Sequence, residues 1–160
     1  MTVETEIAAV REVLHRVKDP EIPVLTIEDL GILRDLRREG QYLIVEITPT
    51  YTGCPAMQVI EQDILTTLRD AGFHFVKVRT VLSPAWTTDW MSERGKRKLE
   101  AYGIAPPATR AACNSGLGDV FCPQCKSSNT ERVSEFGSTP CKALYRCLDC
   151  LEPFDHFKCI

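Results

Sequence analysis

The chain has 160 residues, 44% of them apolar and 26% charged, with a formal net charge of -3. That length allows one full domain and a small second one. No apolar run approaches the roughly 18 residues needed to span a bilayer, and the charge balance lacks the basic excess that nucleic acid or an anionic membrane surface selects.

The N-terminus carries Glu4 and Glu6, not a basic stretch followed by an apolar one, so no signal peptide is expected and the chain should be cytoplasmic. Thiols stay reduced there. The eight cysteines therefore read as ligands or reactive groups rather than as disulfides. Ile7, Val10, Val13, Leu14 and Val17 recur at helical spacing and predict an amphipathic helix over about 4–17, ended by Asp19-Pro20. Residues 20–31 are extended and carry two prolines. Ile32 to Arg37 alternates as a strand, Glu39-Gly40 is a turn, and Leu43, Val45 and Ile47 mark a second strand that completes a hairpin.

A loop at 48–53 leads to Cys54 and Pro55, with proline where a first helical residue belongs. Met57, Ile60, Ile64, Leu65 and Leu68 predict a helix stopped at Ala71-Gly72. Phe73 to Leu82 reads as a third strand, broken by Pro84. A further helix is expected over about 88–101, closed by Gly103. The order α-β-β-α-β implies an α+β domain over residues 1–103, with helices over one sheet. Residues 104–118 are rich in Ala, Pro, Gly and Ser and read as a linker. Residues 119–160 form a cysteine-rich module.

In that module, Cys122 and Cys125, and Cys147 and Cys150, are two C-x2-C pairs 21 residues apart. Each pair sets two sulfurs on one tight turn. Two such turns complete a tetrahedral four-sulfur shell that suits structural zinc, with an iron–sulfur cluster or unligated thiols as alternatives. The segment has too few large apolar residues to fold on a core alone, so the metal would supply its folding energy. Cys113, Cys141 and Cys159 are left over. They read as small buried hydrophobes, with Cys141 and Cys159 as alternative or additional metal ligands. His156, beside Phe154 and Phe157, is a further ligand candidate whose plainer role is packing. Five Lys/Arg against six Asp/Glu in residues 119–160 argue for docking to protein and against nucleic acid.

Cys54 lies at a helix start, where free N–H groups and the helix dipole should lower a thiol pKa. It is a candidate nucleophile or metal ligand, or else an N-cap packed under the loop. No base is placed beside it by sequence: His15 falls on a helix and His74 in a strand, so no catalytic constellation is evident. Glu28 reads as a cap. Asp19, Glu21 and Asp29 either supply carboxylates near Cys54 or cap turns. Trp86 and Trp90 are core anchors or an interaction surface.

Asp19-Pro20-Glu21-Ile22-Pro23, then Asp29-Leu30-Gly31, then Gly53-Cys54-Pro55 occur in order. This series resembles the iron–sulfur cluster assembly and targeting family that includes SufT, and it departs from that family at Thr52, where members often carry proline. The stretches at 48–57, 81–90, 102–107 and 136–159 make nearly the whole chain similar to the PaaD family of phenylacetate degradation. The resemblance implies an accessory, non-enzymatic role in maturing a metal centre of the phenylacetyl-CoA epoxidase. Cys54 would then be a transient ligand for iron or an iron–sulfur cluster, with Asp29 as an additional candidate. The implied partners are the epoxidase subunits, including the iron–sulfur flavin reductase; a structural subunit of the oxygenase is the alternative, and self-association into a homo-oligomer stays open.

Overall fold

The computed structural model describes residues 2–116 and 118–160. Two compact units divide after Trp86. In the first, Thr2 Oγ1 accepts the Thr5 N–H at 3.2 Å and opens α1 (Val3–Leu14), which buries Val10 and Leu14. Past the helix, Asp19 Oδ1 accepts the N–H groups of Glu21 at 2.7 Å and Ile22 at 2.8 Å. That turn aims Ile22, Leu25, Ile27 and Leu30 inward, and each is at most 2% exposed. The proline-bearing segment is thus core-forming although it is neither helix nor strand.

β1 (Leu33–Glu39) and β2 (Tyr42–Ile47) pair antiparallel, turning at Gly40 with φ +61°. α2 (Ala56–Asp70) buries Ala56, Ile60, Ile64 and Leu68, one stripe at four-residue spacing. It carries the chain across to β3 (Val76–Thr80), which lies parallel to β2. The sheet order is β1-β2-β3, and α1 and α2 pack against each other and the sheet. Central β2 buries Leu43, Ile44, Val45 and Ile47, a run that reads as apolar on both faces because both are covered. The expected α-β-β-α-β order of this α+β unit is the observed one.

The helix expected over 88–101 is divided. A short 3-10 helix (Thr88–Trp90) stops at Met91, which is extended. Ser92 Oγ then accepts the Gly95 N–H at 2.9 Å and starts α3 (Glu93–Tyr102) afresh. A serine that can cap competes with continuation of the helix. Gly103, at φ +94°, closes it as expected.

The boundary expected at 103 falls at 86 instead, because α3 and the chain beyond it belong to the second unit. Ile104 and Ala105 form β4, which pairs parallel with β7 (Pro153–Phe157). Residues 104–118 are therefore not a plain linker. Besides β4 they hold α4 (Arg110–Asn114), capped where Thr109 Oγ1 accepts the Ala112 N–H at 3.2 Å. β5 (Thr130–Ser134), β6 (Lys142–Cys147) and β7 are antiparallel neighbours, so the second sheet runs β4-β7-β6-β5. Its core includes a small cluster of Ala105, Cys122, Cys147 and Phe154, with Val120 and Tyr145 packed on it.

Candidate metal centre and the Cys54 loop

The two C-x2-C turns close on one another. Cys122 Sγ lies 3.7 Å from Cys150 Sγ, Cys125 Sγ lies 3.5 Å from Cys147 Sγ, and all four sulfurs fall within 4.8 Å of one another. A tetrahedral ion with four bonds of about 2.3 Å requires sulfurs about 3.8 Å apart. The geometry and the all-thiolate donor set both fit zinc. Four protein ligands leave no open coordination position, which is the form of a structural site.

The backbone builds the same turn twice. Lys126 and Leu151, each one residue beyond the second cysteine of its pair, have φ of +65° and +66°. The left-handed residue folds each turn back on itself. In the first, Lys126 N–H donates to Cys122 O at 2.9 Å. In the second, Cys150 N–H points at Cys147 Sγ at 3.5 Å. Asp149 ties the turns together by accepting from Ser127 Oγ and, at 2.9 Å, from Asn129 Nδ2. Neither Lys126 nor Leu151 is a residue type that signals positive φ, so the sequence alone did not mark them.

The thiols are differentiated. The Cys150 backbone N–H, helped by that of Asp149, outweighs burial and brings Cys147 down to about 7. At Cys150 the Glu152 N–H also lowers the pKa, but burial and the three neighbouring sulfurs outweigh it and push the thiol up to about 12. Cys125 is likewise raised: the Ser127 N–H that would lower it is outweighed by the Cys147 sulfur and burial. An ion bound by these four residues would displace the protons that the raised thiols hold.

The remaining candidates go elsewhere. Cys141 is buried with its sulfur 3.0 Å from Thr139 Oγ1, outside the four-sulfur group. Cys159 is not a ligand either, for it is bonded to Cys113, with Cα atoms 6.5 Å apart. This corrects the expectation that all eight cysteines are free or ligating: the fold brings two residues 46 positions apart within disulfide reach. His156 packs as expected, buried and edge-on to Tyr145, its Nδ1 3.2 Å from Ala105 O.

In the first unit, Cys54 is half-buried in the loop ahead of α2. Pro55 is the N-cap, so Cys54 stands one residue before it, and α2 has no side-chain cap. Asp29 is buried and exchanges bonds with Thr26: its Oδ2 accepts the Thr26 N–H at 3.2 Å, and its N–H donates to Thr26 Oγ1 at 3.0 Å. Capping in this segment thus belongs to Asp19 and Asp29. Glu28, expected as a cap, instead pairs with Arg11 on α1 and with His15 at its C-cap.

Comparison with known proteins agrees with both units. Residues 7–78 match the model of an iron–sulfur cluster assembly protein, and residues 107–158 match a PaaD zinc β-ribbon domain. The chain is 50% identical over 148 residues to a protein of Escherichia coli (strain K12) named as one of the subunits of a 1,2-phenylacetyl-CoA epoxidase; the match covers 92% of this chain and 89% of that one. It is 35% identical over 100 residues to an Fe-S protein maturation auxiliary factor of Porphyromonas gingivalis (strain ATCC BAA-308 / W83), covering 61% of this chain and 92% of that one. Among solved structures, a DUF59 domain of unknown function from Bacillus anthracis superposes with a TM-score of 0.56 at 26% identity, over 60% of this chain and 92% of its own. A conserved hypothetical protein from Thermotoga maritima gives 0.51 at 27%, over 62% and 98%. With an assembly-type domain, four clustered cysteines in a β-ribbon and 50% identity to the Escherichia coli protein over 148 residues, the chain belongs to the PaaD family.

Proposed function

We propose that this chain is an accessory protein that helps assemble an iron or iron–sulfur centre in a phenylacetyl-CoA epoxidase, in the oxygenase or in its iron–sulfur flavin reductase. The observation that carries the reading is the setting of Cys54: a half-buried thiol on a Gly-Cys-Pro loop, one residue ahead of an uncapped helix start, inside a unit that matches an iron–sulfur cluster assembly protein. In this reading the iron or cluster is cargo, and Cys54 is its transient ligand. The ribbon is a zinc-stapled docking module held by Cys122, Cys125, Cys147 and Cys150. Its small core and closed donor set support a structural role for that ion.

The test is complementation of a strain that lacks the chain and is grown on phenylacetate, together with elemental analysis of the anaerobically purified protein. Cys54→Ala should give a folded protein with its zinc retained, its iron lost and no support for epoxidase activity. Full activity from Cys54→Ala would overturn the proposal. The name of the Escherichia coli relative favours a second reading, a stoichiometric structural subunit of the oxygenase. Stable co-purification in fixed ratio, with activity indifferent to Cys54, would select it.

A further inference from the structure

The Cys113–Cys159 bond lies outside the four-sulfur centre and outside the Cys54 loop, and neither cysteine has a role in the metal group. Cys113 sits in α4 and Cys159 beyond β7, and both are half-buried. Both line a cavity of about 350 Å³, a size at the small end of small-molecule sites. Arg132 and Lys158 line the same cavity, against a single carboxylate, Asp119. The Lys158 ammonium is held by the Glu135 carbonyl at 3.0 Å and by the Phe136 ring, and it has no carboxylate partner among the described residues. Arg132, exposed on β5, forms no ion pair among the described residues. Tyr145 adds a ring, and Ala108, Gly118 and Ala143 leave the room.

We propose that Cys113–Cys159 is an exchangeable disulfide whose substrate is a small thiol bearing carboxylates, seated in this cavity by Arg132 and Lys158. A disulfide, space for a ligand and two cationic side chains meet at one place, which a bond serving only as a staple does not require. In the forward step the incoming thiolate attacks one cysteine sulfur. The protein S–S bond breaks, a mixed disulfide forms, and the other cysteine leaves as a thiolate that takes up the proton released when the substrate ionised. A second thiol molecule then attacks the mixed disulfide. The sum is one protein disulfide plus two small thiols giving one protein dithiol and one small disulfide, two electrons passing to the protein. Reversed, the small disulfide oxidises the dithiol. The state of the pair would decide whether α4 is tied to the chain end beyond β7.

The probes are reduced glutathione (anionic), 2-mercaptoethanol (neutral) and cysteamine (cationic), applied to the intact zinc-loaded chain at matched thiolate concentrations, with peptide mapping of Cys113 and Cys159. Glutathione should open the bond about 3- to 10-fold faster than the neutral thiol. Arg132→Glu should abolish that advantage and favour cysteamine. Oxidised glutathione applied to Cys113→Ser should leave a one-to-one glutathione adduct on Cys159: the Cys159 thiolate displaces one glutathione as its thiolate, and no second cysteine is present to release the other. Equal rates for the three thiols, an unreactive bond, or rates indifferent to Arg132→Glu would each overturn the proposal. If Cys113→Ser fails to fold, the exposed Arg132 substitution still decides the matter.

Discussion

Trp86 Nε1–H donates to the Leu30 carbonyl at 2.8 Å, joining two positions 56 residues apart in the first unit. Both residues are buried, Trp86 at 3% and Leu30 at 1% exposure. The bond fastens the last residue of that unit to the Asp29-Leu30-Gly31 turn, and it settles Trp86 as an anchor rather than an interaction surface. Trp86→Phe keeps most of the apolar contact but leaves a buried carbonyl unpaired, which costs about 1–3 kcal/mol. Urea unfolding followed by far-UV circular dichroism should show the lowered midpoint with little change in slope. An unchanged midpoint would mean that the carbonyl finds water in the variant.

Removal of the metal should unfold the two units unequally. The first has a continuous apolar core from Val10 to Leu68. The second relies on a small cluster in which two of the four buried members are cysteines of the metal group, Cys122 and Cys147. Structural zinc contributes on the order of 10–16 kcal/mol in small modules. A chelator at neutral pH should therefore collapse amide dispersion for β5 to β7 and leave that of β1 to β3 intact. Zinc loading should release protons, because Cys150, pushed up to about 12, and Cys125, also raised, are protonated before the ion binds.

Leu151 is 69% exposed yet has φ +66°, so its environment there is set by backbone and not by packing. A left-handed conformation costs a non-glycine residue about 1–2 kcal/mol, more for a β-branched one. Leu151→Gly should leave the melting temperature of the zinc-loaded chain equal or higher. Leu151→Val should lower it, although Val is the closer match in polarity. Equal melting temperatures for the two variants would contradict this account of the second turn.

Burial lowers the His156 pKa below its ordinary 6.5, partly offset by the Ala105 carbonyl. The folded chain thus binds fewer protons at this residue than the unfolded chain. The associated stability is fully present above pH 6.5 and is lost as pH falls below it towards the depressed value. Acid also protonates the ribbon thiolates, so the test is a difference. The melting-temperature gap between the native chain and His156→Gln should narrow between about pH 7.5 and about pH 5.5. A constant gap would show that His156 is not held neutral in the fold.

Much of this molecule is local and was legible on that ground. The stripe Ile60, Ile64, Leu68 dictates α2 whatever surrounds it, and alternation with a Gly40 turn dictates the β1–β2 hairpin. Two cysteines with two residues between them place their sulfurs together within one turn, so the clustering of Cys122, Cys125, Cys147 and Cys150 was readable from spacing. Ser92 was a missed local signal, a cap hidden inside a plausible helical stretch.

Only the tertiary structure decided the rest. Residues 104–118 look like a linker because Ala, Pro, Gly and Ser carry little apolar surface, yet Ala105 is 2% exposed once β4 lies beside β7. Cys113 and Cys159 carry no spacing signal across 46 residues, and their pairing exists only because α4 and the chain end beyond β7 are brought together. Side-chain periodicity and turn chemistry act over a few residues and are written in the sequence. Strand pairing, disulfide reach and the burial of Trp86 on Leu30 depend on which distant segments meet, and that is settled when the core closes.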